Sequence, residues 1–150
     1  RLQGLHFAQV FTSPLQRARQ TAELAGFGKS AEADSDLMEW DYGDYEGRRT
    51  AEIRAERPGW RLFEEGCPGG ETLLQMATRA DRVIARIRAL EGDVLVFAHR
   101  DILRTLIARW IALPALEARR LYLETTSVSM LGYDHGLDEP VIRLLNDARH

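Results

Sequence analysis

Apolar positions along the chain alternate between two rhythms: short unbroken runs, and spacings of three and four residues. Residues 7 to 12, FAQVFT, are apolar and rich in aromatic and β-branched types, which predicts a buried strand. Ser13-Pro14-Leu15-Gln16 then predicts a helix start, with Ser13 as cap, Pro14 at the first helical position and Gln16 completing a capping box. That helix is expected to run to Ala25 and stop at Gly26, with Leu15, Ala18, Ala22 and Ala25 on its apolar stripe. A short strand is expected within residues 31 to 37, followed by the loop MEWDYGDYEG and a short helix from Thr50 to Pro58-Gly59. The glycine-rich stretch EEGCPGGET leads into a long helix with Leu73, Ala77, Ala80, Ile84, Ile87 and Leu90 on one face and Gly92 as its stop. DVLVFA is a continuous apolar run of the kind buried on both faces of a parallel sheet. The next helix carries Ile102, Leu103, Leu106, Ile107, Trp110 and Ile111 and ends at Pro114. SVSMLGY and VIRLL flank the turn-like DHGLDEP as closing strands. Strands alternating with helices argue for an α/β fold with a mainly parallel sheet, and no repeat or interdomain linker interrupts the chain.

Composition sets limits on this picture. At 150 residues, with 45% apolar and 29% charged residues, the chain matches one soluble globular domain able to bury roughly 70% of its unfolded surface. A net charge of -3 argues against a nucleic-acid partner. Lys29 is the only lysine. Arginine is the better fork for phosphate or carboxylate, although genomic bias would produce the same preference. Cys67 stands alone, which excludes an intrachain disulfide, argues against a cysteine zinc site and fits a reducing cytoplasm. No apolar run approaches the roughly 20 residues of a membrane span, and no secretory signal is visible. The opening RLQGLHF lacks an initiator methionine and reads as a fragment or a processed product.

His99 ends the DVLVFA strand just before a helix. Ligands of open α/β sheets bind at this edge, and a helix N-terminus there favours anions; a hydrogen-bonded core histidine is the plain alternative. His99-Arg100-Asp101 spells the triplet of a kinase catalytic loop. However, the position five after the aspartate is Leu106 rather than asparagine, and no companion kinase motif is present. Asp101 is instead expected as a first-turn acid complementing the helix dipole. Arg17, in the first turns of a helix that follows a strand, can reach the same sheet edge as His99 or stand solvated. Arg19 falls beside Glu23 as an i,i+4 pair. The loop EWDYGDYEG gathers Glu39, Asp41, Asp44 and Glu46 with Trp40, Tyr42 and Tyr45. A carboxyl against aromatic surface can hold its proton to higher pH, as a general acid must; an exposed acidic loop is the alternative. CPGGET could fold over a ligand, but it matches no phosphate-loop pattern with its lysine.

In this order and spacing, FTSPLQRARQTAEL, EWDYGDYEG, PGGET, VFAH and TTSVSMLGY resemble the histidine phosphatase superfamily, the phosphoglycerate mutase-like fold, from about Phe7 to Asn146. The resemblance implies a three-layer α/β/α sandwich with a mainly parallel sheet, its first strand missing, in one domain over residues 1 to 150. It implies transfer of a phosphoryl group to a histidine and then to water or another acceptor, with no metal and no cofactor. Arg17 becomes the pocket arginine that grips phosphoryl oxygens. Glu39 becomes the proton donor to the leaving group, with Asp44 or Glu46 as substitutes. His99 becomes the second pocket histidine, its imidazolium stabilising the equatorial oxygens. Such transfer is mostly positioning and electrostatics, and a charged hydrogen bond from Arg17 is worth ~1.5–3 kcal/mol. The implied partner is a small phosphorylated metabolite, with no nucleic acid and no membrane; a homo-oligomer is left open, and the location is cytoplasmic.

Two departures qualify the resemblance. The family's nucleophile is the histidine of an Arg-His-Gly motif on the first strand, and that motif is absent here. A strand, crossover and loops, on the order of thirty residues, are expected upstream. Without that strand, which is normally central, the His99 strand would lack a neighbour. His6 precedes its strand and falls at the wrong end of the sheet, while His135 and His150 are expected at the surface. Secondly, Arg100 stands where the family usually has glycine, either adding positive charge to the pocket or crowding it. The expected function is a phosphatase of small phosphomonoesters, with this chain alone inactive. A phosphoglycerate mutase-type phosphotransferase and a phospholigand-binding pseudoenzyme are the alternatives.

Overall fold

A computed structural model describes residues 1–149; the expectation for His150 lies outside the described residues. Three strands, β1 (Gln9–Thr12), β2 (Ala31–Ala33) and β3 (Val94–Phe97), form a parallel sheet in the order β2-β1-β3. The register of β1 on β3 runs from Gln9 opposite Val94 to Thr12 opposite Phe97. The period-two alternation of strand side chains splits the apolar residues between two layers. Val10, Leu95 and Phe97 pack with Ala22 of helix α1 (Gln16–Leu24), Phe7 and Phe27. Phe11, Val94 and Val96 face the larger core beneath helices α4 (Leu73–Arg88) and α5 (Arg100–Trp110). The result is the three-layer α/β/α arrangement, with two short helices, α2 (Thr50–Glu56) and α3 (Leu62–Glu65), packed beside it.

The expectation that the His99 strand would lack a neighbour is wrong. β3 bonds directly to β1, and β1 is the central strand among the described residues. The other edge of β3 carries no partner strand among those residues, which explains why the apolar Val94, Leu95 and Val96 are only half-buried. The closing strands β4 (Val128–Tyr133) and β5 (Pro140–Asp147) pair antiparallel as a separate hairpin. It docks on α5 where Trp110 Nε1 donates to the Gly132 carbonyl at 3.1 Å and the Trp110 and Tyr133 rings lie 5.3 Å apart.

α1 begins at Gln16, with Leu15 as its uncapped N-terminal flank, two residues after the expected start. The Gln16 capping box does not form, and the Ser13 hydroxyl, which lies ahead of the helix flank, accepts from the Leu15 N–H at 3.2 Å. Arg19 and Glu23 are both exposed and close no ion pair among the described residues. On α4 the buried face is Met76, Ala80 and Val83, with Leu73, Ile84 and Ile87 half-buried beside them. The expected stripe shares Leu73, Ala80, Ile84 and Ile87 with this face, omits Met76 and Val83, and ends on Leu90, which is exposed. α5 buries Ile102, Leu106 and Ile107 as its spacing predicts, each side chain contributing ~1.5–3 kcal/mol. No helix among the described residues is long and apolar enough to cross a membrane.

Candidate active site

The parallel register brings two loop starts to one edge of the sheet. Ser13 follows β1 and His99 lies two residues beyond β3; the Ser13 N–H donates to the Phe97 carbonyl at 2.8 Å, tying the two together. Both side chains are buried, and His99 Nε2 lies 2.7 Å from Ser13 Oγ. Ser13 Oγ also accepts from the Leu15 N–H at 3.2 Å, which leaves its own O–H free to donate to a neutral imidazole. Burial first, and then the neighbouring Arg17 guanidinium, pull the His99 pKa down to about 4. The expected imidazolium is therefore a neutral ring at neutral pH, and a phosphoryl dianion would have to arrive to restore its charge.

Arg17 reaches this edge from the first turn of α1. It is tied only through its carbonyl, which accepts from Thr21 Oγ1 at 2.9 Å, and its exposed guanidinium is unpartnered among the described residues.

Glu39 comes from the loop after β2, yet its carboxylate sits at the start of α5. Its oxygens accept from the N–H groups of Asp101 at 3.1 Å, Ile102 at 3.0 Å and Trp40 at 2.9 Å. It thus supplies the helix cap that the His99 side chain does not. Burial raises the Glu39 pKa, the Asp101 carboxylate raises it further, and the three N–H bonds oppose without prevailing. Asp44 and Glu46 are exposed, and Glu46 accepts only from the Tyr42 N–H at 3.3 Å, within its own loop.

Asp101 belongs to the first turn of α5 as expected, and its side chain is buried. Its oxygens accept from Tyr42 Oη at 2.6 Å and Arg104 Nη1 at 2.9 Å. Burial, together with these acids, raises the Tyr42 pKa far above its ordinary value and keeps the phenol a donor. Arg100, the first residue of α5, is exposed and does not crowd His99; its guanidinium carbon stands 5.3 Å from the centre of the Tyr122 ring.

Behind Glu39 lies a clamp that the sequence motifs did not reveal. Arg79 on α4 donates to the carbonyls of Asp36 at 2.7 Å and Met38 at 2.8 Å, and forks onto Glu71 at 2.6 and 2.8 Å. Glu71 in turn accepts from Trp40 Nε1 through its carbonyl at 2.9 Å, and its N–H donates to the Asp41 carbonyl at 2.9 Å. The CPGGET stretch therefore buttresses the Glu39 loop. Gly43 (φ +52) and Gly70 stack so closely that a Cβ on Gly43 would meet the Pro68 carbonyl at 2.3 Å, and one on Gly70 the Asp41 carbonyl at 2.4 Å. Only glycine allows that approach. A cleft of about 660 Å³ opens on the α4 side of this loop, bordered by Glu39, Glu71 and Arg79 but not by Ser13, Arg17 or His99.

The structure thus brings Arg17, His99 and Glu39 to one edge and adds Ser13. The Ser13 signal was present in the sequence, but a serine before a proline reads first as a helix cap. His6 precedes β1 and lies at the opposite end of the sheet, and His135 is exposed in the hairpin turn beside Asp134 and Glu139.

The buried His99, the unpartnered Arg17 guanidinium and the Glu39 carboxyl, whose pKa burial raises, meet at this one strand edge. The model of the histidine phosphatase superfamily (branch 1) matches residues 1–148. The chain belongs to the histidine phosphatase superfamily. An acid phosphatase of Mycobacterium tuberculosis is 41% identical over 132 residues, spanning 85% of this chain and 64% of that protein. A sedoheptulose 1,7-bisphosphatase of Saccharomyces cerevisiae is 42% identical over 130 residues, 69% of this chain and 48% of that protein. The chain therefore spans roughly half to two thirds of these two relatives. A solved structure of an open reading frame product of Mycobacterium tuberculosis superposes with a TM-score of 0.87 at 36% identity, covering 93% of this chain and 72% of that one. The likeness confirms the phosphoglycerate mutase-like fold and its parallel sheet.

Proposed function

We propose that the protein is a phosphatase that hydrolyses small phosphomonoesters through a phosphohistidine intermediate, without a metal or other cofactor. The observation that carries this reading is the unpartnered Arg17 guanidinium beside the buried His99–Ser13 pair, with Glu39 held at the same helix start. Relatives that are phosphatases by name support hydrolysis as the outcome.

In this reading the nucleophile is a histidine outside residues 1–149, on a strand added at the free edge of β3. A parallel strand there would end beside His99. The nucleophile's nitrogen forms a bond to phosphorus as the bond to the substrate's leaving oxygen breaks, and Glu39 passes its proton to that oxygen. Water then attacks phosphorus, the P–N bond breaks, and Glu39 takes the water's proton, closing the cycle. Arg17 offers a two-pronged fork to the equatorial oxygens. The incoming dianion offsets both the burial and the Arg17 charge that keep His99 neutral, so the imidazole can become a charged donor when substrate is present. By itself the chain of residues 1–150 is inactive in this reading.

The substrate is a small phosphorylated metabolite. A cytoplasmic location fits the lone thiol of Cys67, whose pKa is pushed up to about 11, chiefly by burial, so that it stays protonated and unreactive. The test uses full-length protein. It should release phosphate from an aryl phosphate in the presence of EDTA and accumulate an acid-labile phosphohistidine on rapid quenching. Failure to form that adduct with every phosphoester tried would sink the reading.

A further inference from the structure

A helix start is an unfavourable place for a proton donor. The Glu39 carboxyl accepts there from the backbone N–H groups of Trp40, Asp101 and Ile102, an arrangement that alone would hold it ionised. No side-chain cation or hydroxyl bonds to it among the described residues. The second carboxyl at the same helix start is surrounded differently. Asp101 is buried, and it accepts from the Tyr42 hydroxyl at 2.6 Å and from Arg104 Nη1 at 2.9 Å. A guanidinium partner favours its charged form.

Arg104 is itself fixed in place. Its other terminal nitrogen donates to the Arg119 carbonyl at 2.9 Å, and its guanidinium carbon lies 4.7 Å from the centre of the Phe63 ring. Its Nε is buried with no partner among the described residues, an unmet donor whose desolvation the pair with Asp101 must offset.

Two carboxyls therefore meet one helix start in unlike surroundings. When like charges share a site, the proton settles on the group with fewer charged partners. That group is Glu39. The other charged groups around it do not reverse the order. In its own loop, Asp41 accepts from the Gly43 N–H and Glu46 from the Tyr42 N–H. From α4, Arg79 touches Glu39 at its carbonyl, at 3.5 Å, and forks onto Glu71. At the sheet edge, Arg17 acts on His99. Burial is the first cause of the raised Glu39 pKa and the Asp101 carboxylate the second.

We propose that Asp101 is the positioning residue of the Glu39 acid: fixed as an anion by Arg104 and Tyr42, it keeps the proton on Glu39 against the pull of the helix start. What that proton does rests on the phosphatase reading; what keeps it in place is the role assigned to Asp101.

The experiment follows Glu39 in full-length protein by two routes: the alkaline limb of kcat against pH, and an NMR titration of its carboxyl carbon, assigned against Glu39→Gln. Asp101→Asn removes the charge at nearly constant size. It should move both midpoints to lower pH by about one unit and leave kcat on the acid side of the limb unchanged. In a Glu39→Gln background the same substitution should change kcat by less than about twofold, because Asp101 acts through Glu39. Tyr42→Phe is the second variant, should Asp101→Asn not fold. It loosens the hold on the Asp101 anion, so part of the proton passes to Asp101; kcat on the acid side should fall while the limb stays or moves up. A residue that only braces the fold would lower kcat at every pH with the midpoints in place. That outcome in Asp101→Asn, or a limb moved to lower pH in Tyr42→Phe, overturns the proposal. If Asp101→Asn moves the NMR midpoint but no phosphoester is hydrolysed, the positioning role stands and the phosphatase reading falls. A phosphohistidine formed with both midpoints unmoved in Asp101→Asn does the opposite.

Discussion

Arginines on the two sides of the Glu39 loop are used in opposite ways. On the α4 side, Arg79, Arg82 and Arg86 are all tied down, Arg79 to Glu71 and two carbonyls, Arg82 and Arg86 to Asp34 and Asp36. Arg82 and Arg86 in turn pull the Asp36 pKa down to about 2, the Arg82 hydrogen bond being the largest cause. On the α1 and α5 side, Arg104 pairs with Asp101 and Arg109 with Asp81, but Arg17 and Arg100 carry no such partners among the described residues. Ion pairs in one place hold a loop in register, and their absence in the other leaves positive charge free for something that arrives. A paired arginine has its field cancelled by its partner. An unpaired one beside a buried histidine acts on that histidine directly.

If the comparison is right, the largest loss follows from removing the carboxyl that joins the two sides. Glu39→Gln keeps a side chain able to accept from the α5 backbone but cannot donate and retake a proton, and kcat of the full-length enzyme should fall about 10³-fold. The pH profile carries the sign. The acid must be protonated and its pKa is raised by burial and Asp101, so the wild-type rate falls as pH rises through that pKa. The variant should lack this alkaline limb; an unchanged limb would remove Glu39 from the acid role.

On the unpaired side, Arg17→Ala should lower kcat/KM about 10²-fold, as expected for one lost oxyanion donor, with thermal stability unchanged because the side chain supports nothing in the fold. Activity within threefold of wild type would return Arg17 to the solvated reading. Arg79→Ala should do the reverse and cost about 3 kcal/mol of stability, since it leaves the half-buried Glu71 carboxylate without its fork. Urea denaturation measures this, and a loss below 1 kcal/mol would mean that the paired side is not what holds the Glu39 loop.

How much of this was legible beforehand differs by element. Strand and helix order followed from apolar rhythm, and α5 came out with its face correct because Ile102, Leu106 and Ile107 are large and evenly spaced. α4 came out in part, with Leu73, Ala80, Ile84 and Ile87 placed on the core face and Met76 and Val83 missed beside them. Arg17, Glu39 and His99 were singled out by motif order, and the structure gathers them at one sheet edge. Ser13 and Asp101 were read only in part, for one shared reason. Both are short polar residues at a helix start, where local roles are legible, whereas their tertiary pairing with His99 and Tyr42 is not. The Arg79 clamp binds mainly backbone carbonyls and Glu71, partners that no spacing rule encodes. Chain pairing was the plainest failure. The direct bond of β3 to β1 is a property of sheet order, which local pattern does not carry.

The smallest effect concerns the histidine between the two free arginines. Its folded pKa of about 4 lies below the ordinary 6.5, chiefly from burial and then from Arg17. The unfolded chain therefore binds a proton at pH values where the folded protein does not. The stability from this neutral His99 is fully present above pH 6.5 and is lost as pH falls toward 4. Between pH 7 and pH 5 the loss should be about 2 kcal/mol, visible as a lower urea midpoint that His99→Gln does not show. Inorganic phosphate should blunt the loss, because a bound anion favours the charged ring and raises the folded pKa toward the unfolded one. Arg17→Ala should act in the same direction without any ligand, by removing one of the two causes of the depression. If phosphate leaves the pH dependence untouched in wild type, the free charge at this edge is not reserved for an oxyanion, and the contrast between the two sides of the loop loses its functional meaning.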